Sequence, residues 1–333
     1  MAASGLDPSK IFPFPLDDFQ LEAIDALNQG HSVVVSAPTG SGKTLVGEYA
    51  IHRALAHGQK VFYTTPLKAL SNQKLRDFRE AYGDDNVGLM TGDLSVNREA
   101  SIVVMTTEIF RNMLYAEASE QDDPLADVEA VVLDECHYMN DSQRGTVWEE
   151  SIIHCPPSVQ LVALSATVAN AGQLTDWIQK VHGPTTLVLS DYRPVPLQFS
   201  FCSAKGLHPL LNDAGTGLHP NCKVWRAPKG HKRKGRSAKP PQPEPPPISF
   251  VVAQMAERDM LPAIYFIFSR RGCDKAVRDL GIQCLVNKEE QARIRARLKA
   301  YSSENPEAVR DGIHADALLR GIAAHHAGVL PAW

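Results

Sequence analysis

Short runs of β-branched and apolar residues recur along the first part of the chain, each followed by a longer segment with helical spacing. "HSVVVSAP" (31–38), "KVFYTTP" (60–66), "SIVVMTT" (101–107), "EAVVLDE" (129–135), "QLVALSAT" (160–167) and "TTLVLS" (185–190) read as strands. Their apolar cores run to about five residues and are continuous rather than alternating, which fits a parallel sheet covered on both faces. Between them, "TLVGEYAIHRALAHG" and "NQKLRDFREAYG" have helical periodicity and end at glycine, a common helix stop. Strand–helix alternation of this kind predicts a doubly wound α/β domain over residues 1–200.

The pattern then breaks. Residues 203–247 hold few apolar side chains and close on "PKGHKRKGRSAKPPQPEPPP". Eight Lys or Arg and no acid lie between Lys223 and Lys239, and the prolines that follow disfavour helix. Residues 201–248 are therefore expected to be a basic, proline-rich linker or insertion, either a solvated tether or an arm for nucleic-acid phosphates. "AIYFIFS" (263–269) restarts the α/β pattern as a strand of a second, incomplete domain over residues 249–333.

Composition narrows the class. With 333 residues, 44% hydrophobic and 22% charged, the chain reads as a globular protein of two domains. A formal charge of -4 excludes a globally basic protein but leaves room for a local basic track. Six cysteines without a CxxC pair read as free thiols in a reducing compartment. The longest apolar stretches are too short to cross a bilayer, and "MAASGLDPSK" has no secretory or organellar character, so cytoplasm is expected, without a membrane partner.

Chemistry enters at two places. "SAPTGSGKT" (36–44) follows a strand and opens a helix, the setting of a phosphate-binding P-loop. Ala37, Pro38, Thr39, Gly40, Ser41 and Gly42 would turn backbone N–H groups toward a phosphate. Lys43 would reach the β- and γ-phosphates, and Thr44 would hold Mg²⁺. "LDECH" ends another buried strand, at the edge where open α/β sheets place ligands. Asp134 fits a Mg²⁺ carboxylate and Glu135 a base that activates water. A zinc site from Asp134, Cys136 and His137 is the rival, weakened because adjacent strand residues point to opposite faces. Cys202, His208, His219 and Cys222 offer a second, poorly spaced zinc set.

"APTGSGKT", "DECH" and "SAT" (165–167) together resemble a superfamily-2 DExH-box helicase. "FPLDDFQLEAI" (14–24), "TTPLKALSNQK" (64–74), "GLMTGD" (88–93), "TTEIFRNML" (106–114), "HYMNDSQRGTVWEE" (137–150), "IYFIFSRRGCD" (264–274) and "GIAAHHAGVLP" (321–331) follow in the order of the superkiller-type RNA helicase branch. The resemblance implies a RecA-like ATP-binding domain with a parallel sheet, followed by a truncated second RecA-like domain, with ATP and Mg²⁺ as cofactors. It gives adenine contacts to Phe14 and Gln20, a relay role to His137, and coupling between the γ-phosphate and the nucleic acid to Ser165 and Thr167. Nucleic-acid contacts fall on Pro66, Lys68, Gly92, Thr107 and Glu108, and in the second lobe on Ser269, Arg270 and His326.

The activity so implied is ATP-driven translocation on single-stranded RNA and unwinding of duplexes with an overhang. RNA-decay or RNA-processing factors are the implied partners, and no obligate oligomer is implied. A family member continues past "HHAGVLP" with a segment carrying two arginines that contact the γ-phosphate. The sequence to Trp333 lacks it, so this chain is expected to bind ATP without running the full cycle. An apolar sheet edge is also expected to stand exposed in the second lobe. A DNA-repair helicase, a P-loop kinase or transferase, and a non-catalytic ATP- or RNA-binding module remain as other readings.

Overall fold

In the computed structural model the described residues are 5–115, 124–222, 245–304, 312–326 and 328. The chain divides into two compact units, Met1–Pro196 and Leu197–Trp333.

The first unit is built on an eight-stranded sheet. Its strands are β1 (Ser32–Ser36), β2 (Lys60–Thr65), β3 (Val87–Met90), β4 (Ser95–Val96), β5 (Ile102–Thr106), β6 (Val128–Leu133), β7 (Gln160–Ser165) and β8 (Thr185–Leu189). Their spatial order is β4-β3-β5-β2-β6-β7-β1-β8. Every pairing is parallel except β3 with β4.

The continuous apolar strands are buried on both faces, as their pattern predicts, and alternate residues feed two separate cores. Val33, Val35, Val61, Tyr63, Val104, Val132 and Leu164 pack with the helices Asp18–Asn28, Thr44–His57 and Lys68–Tyr82. Val34, Phe62, Met105, Val131, Leu133 and Ala163 pack with Thr107–Tyr115, Gly145–His154 and Ala171–Val181. The result is a sheet between two helix layers.

All six strands expected in this unit are present, trimmed at their ends. Two more, β3 and β4, lie inside "VGLMTGDLSV". The glycine and the shortness of the runs hide them, yet Gly88 is needed there: a Cβ on it would come within 2.0 Å of the Asn97 carbonyl oxygen.

The amino-terminal edge of the sheet is held by a buried charge. Arg53, with 1% of its side chain exposed, pairs through Nε with Glu129. Its Nη1 donates to the Leu27 carbonyl at 2.6 Å, and its Nη2 donates to Gln160. The Gln160 amide donates in turn to the carbonyls of Leu27 and His31. One guanidinium thus ties two strands to the end of the helix Asp18–Asn28.

In the second unit the structure departs from expectation. Residues 201–209, expected within the linker, join Ser200 in an antiparallel hairpin of β9 (Ser200–Ser203) and β10 (Gly206–Pro209). The basic run 223–239 lies outside the described residues. "AIYFIFS" is not a strand. Ile264, Phe266 and Phe268 are exposed, and no ladder forms on them among the described residues. A parallel strand needs neighbours, and the only ladder described in this unit is the β9–β10 hairpin. The unit's small core gathers Val277, Leu280, Ala317, Ile322 and Ala324.

Replacing Arg53 with Met should leave the largely buried Glu129 with His57 Nδ1, 2.8 Å from its other oxygen, as its remaining partner, a loss on the order of 3 kcal/mol. A urea unfolding curve of the first unit's transition, followed by tryptophan fluorescence, would show it as a lowered midpoint. An unmoved midpoint would mean the network is not structural.

Candidate active site

Because the strands are parallel, their carboxyl ends meet at one edge. Every site residue expected in the first unit lies at that edge or on a loop beside it, with Phe14 and Gln20 arriving from the preceding segment. The loop after β1 carries residues 37–43, and Thr44 begins the following helix. Asp134 follows β6, and Ser165 ends β7. β7 runs between β6 and β1, with Ser36 in register with Ser165 and Leu133 with Ala163. This register brings the loop and the carboxylates to the same stretch of edge.

The loop has the shape that phosphate binding requires. Gly40 and Gly42 both take φ of +84°, in the left-handed region that side chains other than glycine rarely adopt. Lys43 and Ser41 are buried, and Lys43 makes no ion pair among the described residues. Ser41 Oγ is buried with no hydrogen-bond partner. Buried polar groups are normally satisfied, so an unpaired hydroxyl beside an unpaired ammonium in a glycine-shaped loop fits a polyanion. Thr44 is half-buried at the first turn of its helix.

Gln20 is buried against this loop. Its Nε2 donates to the Gly42 carbonyl at 3.0 Å, and its Oε1 accepts from the Asp17 backbone N–H at 2.9 Å. The second bond belongs to a capping box that starts the helix Asp18–Asn28. The side chain therefore caps a helix and braces the loop at once. Phe14 stands more than half exposed, its ring 6.0 Å from Phe12.

Asp134 is nearly buried, and each of its oxygens is directed. Oδ2 accepts from the Tyr63 hydroxyl at 2.8 Å, and Oδ1 accepts from the Glu135 backbone N–H at 2.9 Å. Burial, and then the Asp134 carboxylate, push the Tyr63 phenol far above its ordinary range, so it stays a donor. Sequence reasoning missed Tyr63, since a tyrosine inside an apolar run reads as core.

Glu135 sits in the left-handed region, φ +52° and ψ +42°, unusual for a residue with a side chain. That turn takes the two carboxylates off the strand, so strand alternation does not govern where they point. Glu135 Oε2 is buried without a hydrogen bond, 3.3 Å from His137 Nδ1. His137 Nδ1 also lies 3.4 Å from the Ala166 backbone N–H. The two contacts exclude each other: an amide donates only to a bare nitrogen, and a carboxylate accepts only from a protonated one. His137 thus stands between the carboxylate and β7. Ser165 Oγ donates to the Ala166 carbonyl at 2.8 Å, whereas Thr167 is exposed.

A carboxylate pair with directed oxygens and one unsatisfied oxygen suits a hard divalent cation that keeps waters. Zinc finds no such support. Cys136 is fully buried in the core, and burial pushes its thiol up to about 12. Among the described residues no cluster of three or more His, Cys, Asp or Glu is placed to hold a metal. Cys222 Sγ instead donates to the Pro209 carbonyl, and His208 stacks on His219.

A second group of expected residues collects beyond β2 and β5. Thr107 is buried and donates to the Thr65 carbonyl at 3.3 Å. Lys68 pairs with Asp93, beside Gly92. Glu108 pairs with Arg144, whose Nη2 also donates to the Pro66 carbonyl at 2.6 Å. In the second unit, Ser269 caps the helix Arg270–Asp279, with Oγ accepting from Gly272 N–H at 3.0 Å, and Arg270 is exposed. His326 is tied locally: Nδ1 accepts from the Gly328 N–H, so Nε2 is left to donate to Asp274 at 3.0 Å.

Loop, carboxylates and strand order define a P-loop-type α/β domain. Residues 17–174 match the DEAD/DEAH box helicase family and form a helicase domain of that family. It is 45% identical over 97% of its length to the "DExH-box ATP-dependent RNA helicase DExH15 chloroplastic" of Arabidopsis thaliana, covering 31% of that protein. It is 39% identical over 97% of its length to "Exosome RNA helicase MTR4" of Mus musculus, covering 32%. With "Antiviral helicase SKI2" of Saccharomyces cerevisiae it shares 34% identity over 98% of its length, covering 30%. The chain thus spans about a third of the length of these relatives. Among the described residues no helix is long and apolar enough to cross a membrane.

Two substitutions test the geometry. Gly42→Ala would force a side chain into the left-handed region and 2.9 Å from Gln20 Nε2. It should weaken binding of a fluorescent ATP analogue about tenfold, roughly 1.4 kcal/mol. Tyr63→Phe keeps the ring but frees Asp134 Oδ2. It should raise the Mg²⁺ concentration at which binding of the ATP analogue is half-maximally tightened by about tenfold, the scale of a lost hydrogen bond to a charge. An unchanged Mg²⁺ titration would remove Tyr63 from the site.

Proposed function

We propose that this chain is the ATP-binding part of an ATP-dependent RNA helicase that moves along single-stranded RNA. The observation that carries the reading is the shared sheet edge: an unpaired, glycine-shaped anion loop stands at the same edge as Asp134, whose oxygens are directed, and Glu135, which keeps one oxygen unsatisfied. The names of the relatives support RNA rather than DNA as the strand.

Residues 37–44 would cradle the triphosphate, with Lys43 against the β- and γ-phosphates. Thr44 and Asp134 would hold Mg²⁺, which when bound neutralises charge developing on the phosphoryl oxygens. Glu135 would orient and deprotonate the attacking water, and His137 would pass its state to β7 through the Ala166 amide. Gln20 and Phe14 would meet the adenine. Pro66, Lys68, Gly92 and Glu108 would face the RNA backbone from the first unit, with Thr107 buried beneath them and holding the Thr65 carbonyl rather than the strand, and Ser269, Arg270 and His326 would do so from the second. Factors of RNA decay would be the partners, in line with the exosome named for one relative.

The test is ATP hydrolysis by the 333-residue chain alone, with single-stranded RNA, and with single-stranded DNA. Lys43→Ala is the blank. ATP binding that is weakened in the blank is expected, and turnover stimulated by RNA and abolished in the blank would extend the activity to this chain itself. Stimulation by DNA alone would move the reading to a DNA helicase. Nucleotide binding without turnover would make the chain a binding module.

A further inference from the structure

Between Glu135 and Gly145 the backbone forms a continuous strut. The Glu135 carbonyl accepts from Tyr138 N–H at 3.0 Å, the Tyr138 carbonyl from Asp141 at 2.9 Å, and the Asp141 carbonyl from Gly145 at 2.8 Å. Asp141 Oδ1 accepts from the N–H groups of Gln143 and Arg144 at 2.9 and 3.0 Å. Gly145 is packed so closely that a Cβ would lie 2.1 Å from the Met139 carbonyl oxygen. The strut begins at one of the site carboxylates and ends at Arg144.

At that end a single guanidinium nitrogen, Arg144 Nη2, donates to the Pro66 carbonyl and pairs with Glu108. Pro66 opens the turn after β2, and Glu108 lies in the first turn of the helix after β5. Both belong to the face proposed above for the RNA backbone. The Arg144 charge also neutralises a carboxylate that would otherwise repel phosphates.

From this arrangement we infer that Arg144 is a positioning residue, joining the carboxylate segment to the RNA-contacting turns. Through it, a change at Glu135 reaches the strand without a direct Arg144–phosphate contact. The inference rests on the RNA reading of this site. It assigns a role to a side chain that neither the motif reading nor the family match singles out.

The test is the affinity of the 333-residue chain for a fluorescent single-stranded RNA across a salt series. Wild type, Arg144→Ala with and without Glu108→Gln, and Arg144→Lys would be compared, with thermal midpoints recorded for each. A positioning role predicts Kd raised about tenfold when Arg144→Ala is made together with Glu108→Gln, which keeps the net charge of the pair, with the slope of log K against log salt unchanged. Lysine, a point charge without the planar fork, should not restore affinity. A direct phosphate contact would instead lower the slope by about 0.7 and let lysine restore most of the binding, overturning the inference. Unchanged affinity would overturn it too. So would a loss of RNA affinity matched by an equal loss for an ATP analogue with a lowered thermal midpoint, since that marks general destabilisation. Wild type that binds no RNA would remove the functional reading itself, a result distinct from all of these.

Discussion

The position of β7 between β6 and β1 is the constraint on which the site depends. Parallel pairing sets Ser36 beside Ser165 and Leu133 beside Ala163, so the loop after β1 and the turn after β6 emerge at matching heights. A one-residue slip of β7 would send its buried side chains to the opposite core and move Ser165 away from Ser36. The alternating division of the two cores prevents such a slip, because each face is filled to the strand ends. The precision of the site is therefore a consequence of core packing several residues away.

On that frame, polar groups are left unsatisfied where a ligand would complete them and satisfied where geometry must hold. Ser41 Oγ and Glu135 Oε2 are buried without hydrogen bonds, while both Asp134 oxygens are engaged. The same distinction separates the two ends of the sheet. At the amino edge Arg53 is fully committed to Glu129, Gln160 and Leu27. At the carboxyl edge Lys43 has no ionic partner among the described residues. One buried cation serves the fold, and the other is free for an anion.

The first unit was legible in sequence because its strands are continuous apolar runs and its loops carry glycine and acid at fixed places. What escaped reading was short or dual in role. β3 and β4 are too brief to show periodicity, and Tyr63 and Arg144 are ordinary in composition. Only the approach of Asp134, Pro66 and Glu108 gives those two side chains meaning. Gln20 shows the opposite case, a residue picked for a ligand that also caps a helix. In the second unit the pattern at 263–269 announced a strand, but apolar β-branched and aromatic residues make a ladder only where neighbours stand beside them. At the positions read there for nucleic-acid contact, Ser269 is a helix cap, Arg270 is exposed and His326 is tied to Asp274.

If the sheet edge makes one site of loop and carboxylates, nucleotide and metal must bind as a linked pair. The most direct measurement is the affinity of the 333-residue chain for an ATP analogue, with and without Mg²⁺, for wild type and for Asp134→Asn. The account predicts that Mg²⁺ tightens binding about tenfold or more in wild type, and that this gain disappears in the variant. An equal Mg²⁺ effect in both would contradict it, placing the metal away from Asp134 and separating the carboxylates from the phosphate loop.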